Sequence, residues 1–559
     1  LMPKEATRYL ELDPWAIVER GFHPEEGEVS ESLFSLGNEY MGVRGYFEEG
    51  YSGPRLVGAY FNGVFEEYDF HHPQTFKGFA TRGTFMVNSV DWLHARLWID
   101  GEQLDLAVSK FTDFERRLDL KTGVLTRSFT WRTQSGKSVR VHFERFLSMA
   151  EARLGMQRIT LEAVDSPCSL TAETGLDLSL PHMDQGGKNY WTVLRKTIPL
   201  GDRRAFVGPD ANPTFQGLLL GQTERSRQRV LSSFSLRASA PVAPEAAEAE
   251  KLIAGRLALE LEPAKALTLE KTVVNCVEKD PAVPDEALLE QGRALLEAHR
   301  DTGWDQALAA SRAYWDQVWQ DLDVVIEGDP ENQQGVRYCI FQLHQTYHGQ
   351  DPHLNVGAKG LTGEAYWGAT FWDTETYCLP FYLFNNPQAA RNLLLYRYQT
   401  LPQALERAVE MDCQGACYPF VTIDGTESCG VWQHGNLEVH IGAGLAYAIR
   451  HYVRICDDRD FLYHEGIEML LQISRYFASR GEWGPRTGQF GMWGVMGADE
   501  FHMMVHNNCY TNFMVKKCFE YTLSVLKEMQ EKAPQQLAEV TEKVGLEEGE
   551  PREWQRMAE

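Results

Sequence analysis

A segment near the middle of this 559-residue chain combines aromatic and acidic side chains in a pattern that suits sugar binding. It runs from Gly360 to Glu375 and contains two Trp, one Tyr and three carboxylates. Pyranose rings lay their apolar faces on indole rings, while carboxylates accept hydroxyl protons. On composition alone, a core segment in which Trp372 is buried and Asp373 caps a helix explains the pattern equally well.

A second segment brings histidines and a glutamate together along the chain. His434, Glu438 and His440 are types that bind metals, but Glu438 and His440 are two residues apart and would fall on different helix faces. His434 and Glu438 have the spacing of four residues that helical ligands need, yet Gly435 between them indicates that the helix has not begun. We therefore expect polar-pocket or capping roles and no metal.

A third segment carries two adjacent carboxylates, Asp499 and Glu500, in a loop rich in small residues before a helix that begins near Asn508. Neighbouring anions and partial burial raise the pKa of a carboxyl group, so one of the two could hold a proton at neutral pH. An Asx turn with Glu500 in solvent is the alternative, and composition alone favours it.

The elements that would position these segments differ between the two halves of the chain. From about Ser32 to Val274 the hydrophobic pattern has mostly period two, with turn residues about every ten positions. The Asp100-Gly101 pair between alternating runs predicts a β-hairpin. The N-terminal half is therefore expected to form a large antiparallel β-sandwich.

Beyond Pro284 the apolar residues recur at helical spacing. Closely spaced helices without strands between them favour a helical toroid or bundle. The predicted helices are Val336–His348, Pro387–Tyr398, Pro402–Met411, Leu437–Cys456, Glu465–Ala478 and Asn508–Met529. The predicted domains are a β-sandwich over 1–280, a helical linker over 281–328 and a helical domain over 329–559. Since the final segment shows neither a helix cap nor a closing domain, we expect a chain that is cut short.

Charge and composition exclude several classes of function. With 54 Lys and Arg against 79 Asp and Glu, the net charge is −25, so nucleic acid and anionic membrane surfaces are unfavourable partners. No apolar run reaches the ~20 residues that cross a bilayer. The ten cysteines form no CxxC pair, no usable glycosylation sequon occurs, and the start lacks a secretory layout. These features favour a cytoplasmic protein.

Taken together, the segments resemble family 65 of the glycoside hydrolases. That family holds inverting maltose, kojibiose, nigerose, trehalose and glucosylglycerol phosphorylases and a few α-glucoside hydrolases. The resemblance covers nearly the whole chain, because separate blocks occur in the family's order. These blocks are Ser30–Gly45, Gly360–Glu375, Tyr396–Tyr398, Tyr418–His440 and Gly494–Asn512.

The resemblance implies a fold and a set of site residues. It implies an N-terminal β-sandwich, a helical linker, a catalytic (α/α)6 barrel and a C-terminal β domain, of which the last and part of the barrel are expected to be missing. Glu500 matches the general acid. Trp372 and Asp373 match positions that hold glucose in the subsite beside the cleaved bond, and Trp493 and His440 are weaker candidates for that pocket.

The resemblance also implies a reaction. Protonated Glu500 would donate to the glycosidic oxygen of an α-linked glucoside while inorganic phosphate attacks from the opposite face, which gives β-glucose 1-phosphate. The expected partners are a sugar and phosphate, without a cofactor, and a homodimer is one option. The alternatives are an inverting hydrolase, in which a second carboxylate activates water, and a non-catalytic sugar-binding protein, which would not need Glu500. Three departures from the family pattern leave the acceptor sugar open: Ala369, Ala498 and Phe501.

Overall fold

A computed structural model describes residues 9–198, 215–299 and 302–559. It divides into two compact units. The first contains residues up to 66, residues 86–346 and residues 359–365. The second contains residues 67–85, 347–358 and 366–559. Residues 67–85 are called the strap below.

Most strands of the described residues lie in the first unit. In chain order the strands are β1 (Leu10–Asp13), β2 (Ala16–Arg20), β3 (Leu36–Gly37), β4 (Met41–Val43), β5 (Ala59–Phe61), β6 (Phe65–Asp69), β7 (Arg82–Met86), β8 (Ala95–Ile99), β9 (Glu102–Gln103), β10 (Lys110–Asp119), β11 (Val124–Arg132), β12 (Ser138–Leu147), β13 (Leu154–Ala163), β14 (Cys168–Asp177), β15 (Trp191–Thr197), β16 (Gln216–Thr223), β17 (Arg229–Ala238), β18 (Glu245–Glu248), β19 (Leu252–Leu261), β20 (Leu267–Glu278), β21 (Glu482–Trp483) and β22 (Phe490–Gly491).

Two antiparallel sheets dominate this unit. One has ten strands in the order β1-β2-β10-β11-β12-β13-β20-β17-β16-β15, and the other has five in the order β18-β19-β14-β8-β9. Alternate side chains of a strand face the core, so Phe129 and Trp131 of β11 are buried and their neighbours are more exposed. The sheets pack closely, since a Cβ added at Gly217 would lie 3.1 Å from Ile253 Cδ1.

The predicted hairpin is confirmed. Strands β8 and β9 pair through Ile99 and Glu102. Asp100 and Gly101 between them both have positive φ, at 49° and 84°. A two-residue turn with positive φ at both positions matches the right-handed twist of the flanking strands, which is why Asp-Gly occurs here.

The helices follow the sheets along the chain. In chain order they are α1 (Gly27–Leu33), α2 (Asp285–His299), α3 (Trp304–Leu322), α4 (Pro330–Thr346), α5 (Leu379–Asn385), α6 (Pro387–Gln399), α7 (Leu401–Glu410), α8 (Trp432–Leu437), α9 (Ile441–Cys456), α10 (Arg459–Phe461), α11 (Ile467–Arg480), α12 (Cys509–Lys532), α13 (Pro534–Val544) and α14 (Glu550–Ala558). Short 3-10 turns lie at Pro24–Glu26, Met183–Gln185 and Ala365–Gly368, and π turns at Thr374–Cys378 and Leu462–Gly466. None of the described helices is both long and apolar enough to cross a membrane.

A β-rich N-terminal part followed by a helical part is confirmed, and one predicted helix is wrong in its detail. The helix expected over Leu437–Cys456 begins four residues later than expected, because α8 ends at Leu437 and α9 begins only at Ile441. Glu438 between them has φ −84° and ψ 71°, which is not helical. The break leaves Glu438 and His440 buried in a connector rather than on a continuous helix.

The predicted domain limits at 280 and 328 stay predictions, because the compact units follow different boundaries. Helix α4 groups with the first unit, although the pattern assigned it to the helical domain. The strap groups with the second unit, although it precedes that unit's first helix by more than 250 residues along the chain.

Candidate active site

The backbone that carries Trp372 and Asp373 is fixed by polar contacts on both sides. Thr370 and Thr422 exchange two backbone hydrogen bonds of 2.8 and 3.1 Å. Two residues after Asp373, the buried Glu375 carboxylate accepts from Arg397 Nε at 2.6 Å and from Nη2 at 3.1 Å. A bidentate pair of this kind sets orientation as well as distance. The segment therefore presents Trp372 and Asp373 from a rigid base.

Trp372 packs edge-on against His440, with ring centroids 4.7 Å apart and ring planes at 76°. Tyr510, at the start of α12, adds a third ring with its centroid 6.2 Å from that of Trp372. Gly444 of α9 makes room for the indole, because a Cβ added there would lie 3.1 Å from Trp372 Cε3. Since Trp372 is only partly buried, part of its ring stays open for a ligand.

Asp373 is exposed, and its side chain makes no capping hydrogen bond to the turn that follows. The alternative in which Asp373 serves as a helix cap is therefore wrong. The carboxylate lies close enough to Glu438 for its charge to raise the pKa of that carboxyl group.

His434, Glu438 and Glu500 form one cluster. Each offers a nitrogen or oxygen atom, and these atoms all lie within 4.8 Å of one another. His434 Nδ1 and Glu438 Oε1 are hydrogen-bonded at 2.5 Å. The expectation that the helix has not begun at Gly435 is wrong, because α8 runs through Gly435, although it ends at Leu437, one residue before Glu438.

Glu438 is the carboxyl group whose pKa is raised in this cluster, to about 9. Burial is the largest cause, and the charges of Glu500, Glu427 and Asp373 add to it. Loss of water disfavours the ionised form, and a nearby anion disfavours it further. Glu438 is therefore protonated at neutral pH.

Glu500 lies on a loop that is fastened at its base. Val495 and Val505 exchange two backbone hydrogen bonds, of 3.0 and 2.9 Å, and Met496 N donates to Leu437 O at 3.0 Å. The second contact joins the loop to the end of α8, next to Glu438. Glu500 itself has φ 53°, in the left-handed region that a residue with a side chain rarely adopts. Its side chain is exposed.

The expected pair of Asp499 and Glu500 does not form. Asp499 Oδ2 instead pairs with His502 Nδ1 at 2.7 Å, while Glu500 lies beside Glu438. The partial burial expected for one of the two is not seen at Glu500, whose side chain is exposed, as in the alternative that composition favours. Composition could not show this, since the acidic neighbour comes from another part of the chain.

His440 is completely buried, and burial lowers its pKa to about 4, so its imidazole is neutral near pH 7. Its Nε2 lies 3.8 Å from Glu438 Oε2. The His440 ring thus contacts Trp372 and also lies next to Glu438 of the cluster. Trp493 contacts a different ring, with its ring centroid 5.3 Å from that of His506, and its carbonyl accepts from Arg480 Nη1 at 2.9 Å. Its role in the pocket stays a prediction.

Glu427 stabilises the turn that packs against His434 of the cluster. Its carboxylate accepts from three backbone N–H groups, those of Phe420 at 2.7 Å, Cys429 at 2.9 Å and Val421 at 3.3 Å. Phe420 in turn stacks on His434, with ring centroids 5.3 Å apart and planes at 20°. The turn at 420–429 therefore sets the position of the imidazole that contacts Glu438.

The strap holds α8 in place, which sequence reasoning missed. The Gly78 carbonyl accepts from Arg407 Nη1 at 2.7 Å and from Asn436 Nδ2 at 2.8 Å. Arg407 Nη2 also donates to Gly435 O at 3.0 Å. One buried guanidinium thus joins the strap to the helix that carries His434. No local signal in residues 67–85 indicated this contact.

His434, Glu438 and Glu500 are also the candidate metal ligands that the described residues bring together. A carboxylate must lose its proton before it binds a metal. Glu438 keeps its proton at neutral pH and is already hydrogen-bonded to His434. The arrangement is better suited to holding a proton than a cation, and the expectation of no metal stays a prediction.

Models of known families match most of the chain. The model described as "Glycosyl hydrolase family 65, N-terminal domain" matches residues 17–318. The model described as "Glycosyl hydrolase family 65 central catalytic domain" matches residues 337–559. The chain belongs to glycosyl hydrolase family 65. Within this member of the family, the cluster around Glu438 and the Trp372 segment lie in the part that matches the central catalytic domain.

Two curated relatives of this family 65 chain are named as phosphorylases. It is 32% identical over 558 residues to an "Alpha,alpha-trehalose phosphorylase" from Thermoanaerobacter brockii, covering 98% of this chain and 70% of the relative. It is 33% identical over 526 residues to a "Maltose phosphorylase" from Bacillus subtilis (strain 168), covering 93% and 67%. A solved structure titled "Putative kojibiose phosphorylase from human microbiome" superposes with a TM-score of 0.91 at 36% identity, covering 99% of this chain and 70% of that one.

Proposed function

We propose that the protein is an inverting phosphorylase that cleaves an α-linked glucose disaccharide with inorganic phosphate and releases β-glucose 1-phosphate and the free acceptor sugar. The observation that carries this proposal is the position of the Glu438–Glu500 pair beside the Trp372–His440 ring contact. The phosphorylase names of relatives in the same family support it. Relatives with different disaccharides in their names match almost equally well, so the acceptor sugar stays open.

Glu500 is proposed as the general acid. Its side chain is exposed and so accessible to a substrate, whereas Glu438 is buried. Two carboxyl groups so close do not both ionise readily, and the pair therefore holds a proton at neutral pH. As the acid, Glu500 would donate its proton to the glycosidic oxygen when the bond to the acceptor sugar breaks.

The glucose subsite is proposed to consist of Trp372, Asp373, His440 and Trp493. Trp372 supplies an apolar ring face, and the exposed Asp373 carboxylate accepts hydrogen bonds from sugar hydroxyls. The neutral imidazole of His440 fixes the indole from the side. For Trp493 the support is its position two residues before the loop that carries Glu500.

The nucleophile is proposed to be phosphate rather than water. An inverting hydrolase needs an ionised carboxylate roughly 6.5–9.5 Å from the acid, to leave room for the water that it activates. Glu438 lies within 4.8 Å of Glu500 and is protonated at neutral pH, so it fits neither requirement. Phosphate is already an anion and needs no base, and no cofactor enters this reaction.

For the fold we propose that the helical part forms an (α/α)6 barrel. Helices α9, α11 and α12 contact one another in the second unit, and α6 contacts α9, as successive barrel helices would. A homodimer is proposed as the solution state, and light scattering of the purified protein would test it.

The reaction is tested by incubating the purified protein with maltose, kojibiose or trehalose, with and without inorganic phosphate. We expect glucose 1-phosphate only when phosphate is present, and only as the β anomer, which NMR of the fresh product identifies. Free glucose released from the donor half without phosphate would favour the hydrolase. Release of the α anomer would overturn inversion. Sugar binding without turnover would favour a non-catalytic protein.

A further inference from the structure

A cavity lies wholly within the first unit, and it involves parts of two sequence blocks to which the proposed reaction assigns no role. Its volume is about 460 Å³. Ser35 and Arg44 of the Ser30–Gly45 block line it, together with Thr362 and Glu364 from the beginning of the Gly360–Glu375 block. A volume of this size lies within the range of small-molecule sites.

The wall formed by residues 359–365 is fixed by three contacts to the rest of the first unit. Arg44 Nη1 donates to Thr362 O at 3.0 Å, and Asp184 N donates to Glu364 Oε2 at 2.8 Å. Gly42 lets the segment come close, because a Cβ added there would lie 2.8 Å from Thr362 Cγ2. Such a wall does not have to become ordered when a ligand binds, which lowers the cost of binding.

The floor of the cavity is built from buried polar groups. Arg44 is 7% exposed and also donates through Nη2 to Ser32 Oγ at 2.7 Å. Ser35 and Tyr60 are each 2% exposed. The Tyr60 hydroxyl lies 3.5 Å from Glu364 Oε1. The buried groups hold one another in fixed orientations, so the floor is rigid.

Opposite charges in the lining of the cavity offset each other. Arg44 and Lys359 bring two positive charges to the lining, and Asp184 and Glu364 bring two carboxyl groups. A site built for an anion would show an excess of positive charge. The balance therefore favours a neutral ligand that both donates and accepts hydrogen bonds.

The remaining lining fits a sugar. Tyr338 offers a ring, Leu56 and Met183 offer aliphatic surface, and the side-chain amide of Gln342 can donate and accept. Sugar hydroxyls need partners that do both, while the C–H face of a pyranose packs on rings and aliphatic carbons.

We propose that this cavity is a second carbohydrate-binding site, which takes a neutral mono- or disaccharide without cleaving it. It does not depend on the proposed reaction, since none of the groups proposed for catalysis lines it. In this site Gln342 of α4 and Lys359 of the wall contact the sugar hydroxyls, and Tyr338 lies beside the pyranose ring.

The test uses the Trp372→Ala protein, in which the proposed glucose subsite is damaged. Glucose, maltose, kojibiose and trehalose are titrated in ligand-observed NMR, with inorganic phosphate as a separate probe. We expect at least one saccharide still to bind, and its affinity to fall at least tenfold on adding Gln342→Leu or, independently, Lys359→Met. Gln535→Leu, at an exposed glutamine of α13, is the matched control and should change nothing.

Several outcomes would overturn the second site. One is the loss of all saccharide binding in a folded Trp372→Ala protein. Another is residual binding that neither cavity variant weakens, and a third is binding of phosphate alone. Circular dichroism of each variant shows whether it is folded. A failed turnover assay with wild-type protein would count against the proposed reaction and leave this test unaffected.

Discussion

Glu438 and Glu500 bring carboxyl oxygens from a helix connector and from a distant loop to within 4.8 Å of each other. The charge of Glu500 is the second largest cause, after burial, of the pKa of about 9 at Glu438. Ionisation of Glu438 is therefore disfavoured both by the loss of water and by a neighbouring anion. The chemistry proposed for Glu500 depends on this neighbour.

Glu438→Gln should change how stability depends on pH. A carboxyl group with a raised pKa favours the folded state at low pH, and this contribution is lost as pH rises from about 4.5 to about 9. Glutamine cannot ionise and keeps a hydrogen bond to His434. The melting temperature of the variant relative to wild type should therefore rise steadily between pH 5 and pH 9. A constant difference across this range would contradict the raised pKa, and Glu531→Gln, on the exposed end of α12, is the control.

Glu500→Gln should lower kcat by about 10² to 10⁴, since it keeps the shape of the side chain and removes the proton to be donated. The side chain is exposed, so the melting temperature should stay close to that of wild type. The test is the rate of phosphorolysis of the best disaccharide, measured at saturating substrate. Near wild-type turnover would exclude Glu500 as the acid.

Asp373→Asn should weaken glucose binding. A charged hydrogen-bond acceptor contributes about 1.5–3 kcal/mol, which corresponds to a loss in kcat/KM of roughly 10- to 150-fold. Because Asp373 makes no capping bond, the fold should not change. Asp499→Asn offers a comparison, as this exposed carboxylate pairs with His502 outside the proposed subsite. Equal kcat/KM in wild type and Asp373→Asn would place Asp373 outside the subsite.

Gly444→Ala should leave the stability of the fold unchanged or increase it, while it weakens the binding of the substrate. Alanine inside α9 favours the helix by about 0.5–1 kcal/mol, while its Cβ, at 3.1 Å from Trp372 Cε3, pushes the indole aside. We expect an unchanged or higher melting temperature together with a raised KM. Trp372→Ala should raise KM further, because it removes the ring entirely. A Gly444→Ala enzyme with wild-type KM would show that the indole position does not matter.

Glu375→Ala should destabilise the second unit. The Glu375–Arg397 pair is buried, with side chains 2% and 1% exposed, and removal of one partner leaves an uncompensated charge. Such losses cost about 3–5 kcal/mol. Urea unfolding followed by tryptophan fluorescence measures the change, and Arg397→Met combined with Glu375→Leu should recover part of it. A loss below about 1 kcal/mol in the single variant would argue that the pair contributes little.

Much of the fold could be predicted from local sequence signals. The Asp100-Gly101 turn was predictable because few residue pairs adopt positive φ in succession, and the start of α12 was predictable because Asn508 caps it, with Oδ1 accepting from Thr511 N at 3.0 Å. The Trp372 segment was marked by its composition. Each of these features depends on residues that are adjacent in sequence.

Long-range features of the site were not predictable in this way. The pKa of Glu438 depends on its burial and on Glu500, Glu427 and Asp373, which are remote in sequence. The break between α8 and α9 was hidden, since Leu437–Cys456 has no helix-breaking residue at Glu438. Burial and remote charge are consequences of the tertiary fold, and a periodicity of apolar residues does not contain them.

The strap has a consequence for any exchange of segments between family 65 proteins. Neither compact unit is encoded by one uninterrupted stretch of gene. A chimera that takes only residues 347–559 from a relative would set a foreign Arg407 and Asn436 against the native Gly78 carbonyl. During synthesis the strap also leaves the ribosome long before the helices that it contacts. A working hybrid would have to inherit residues 67–85 together with the helical part.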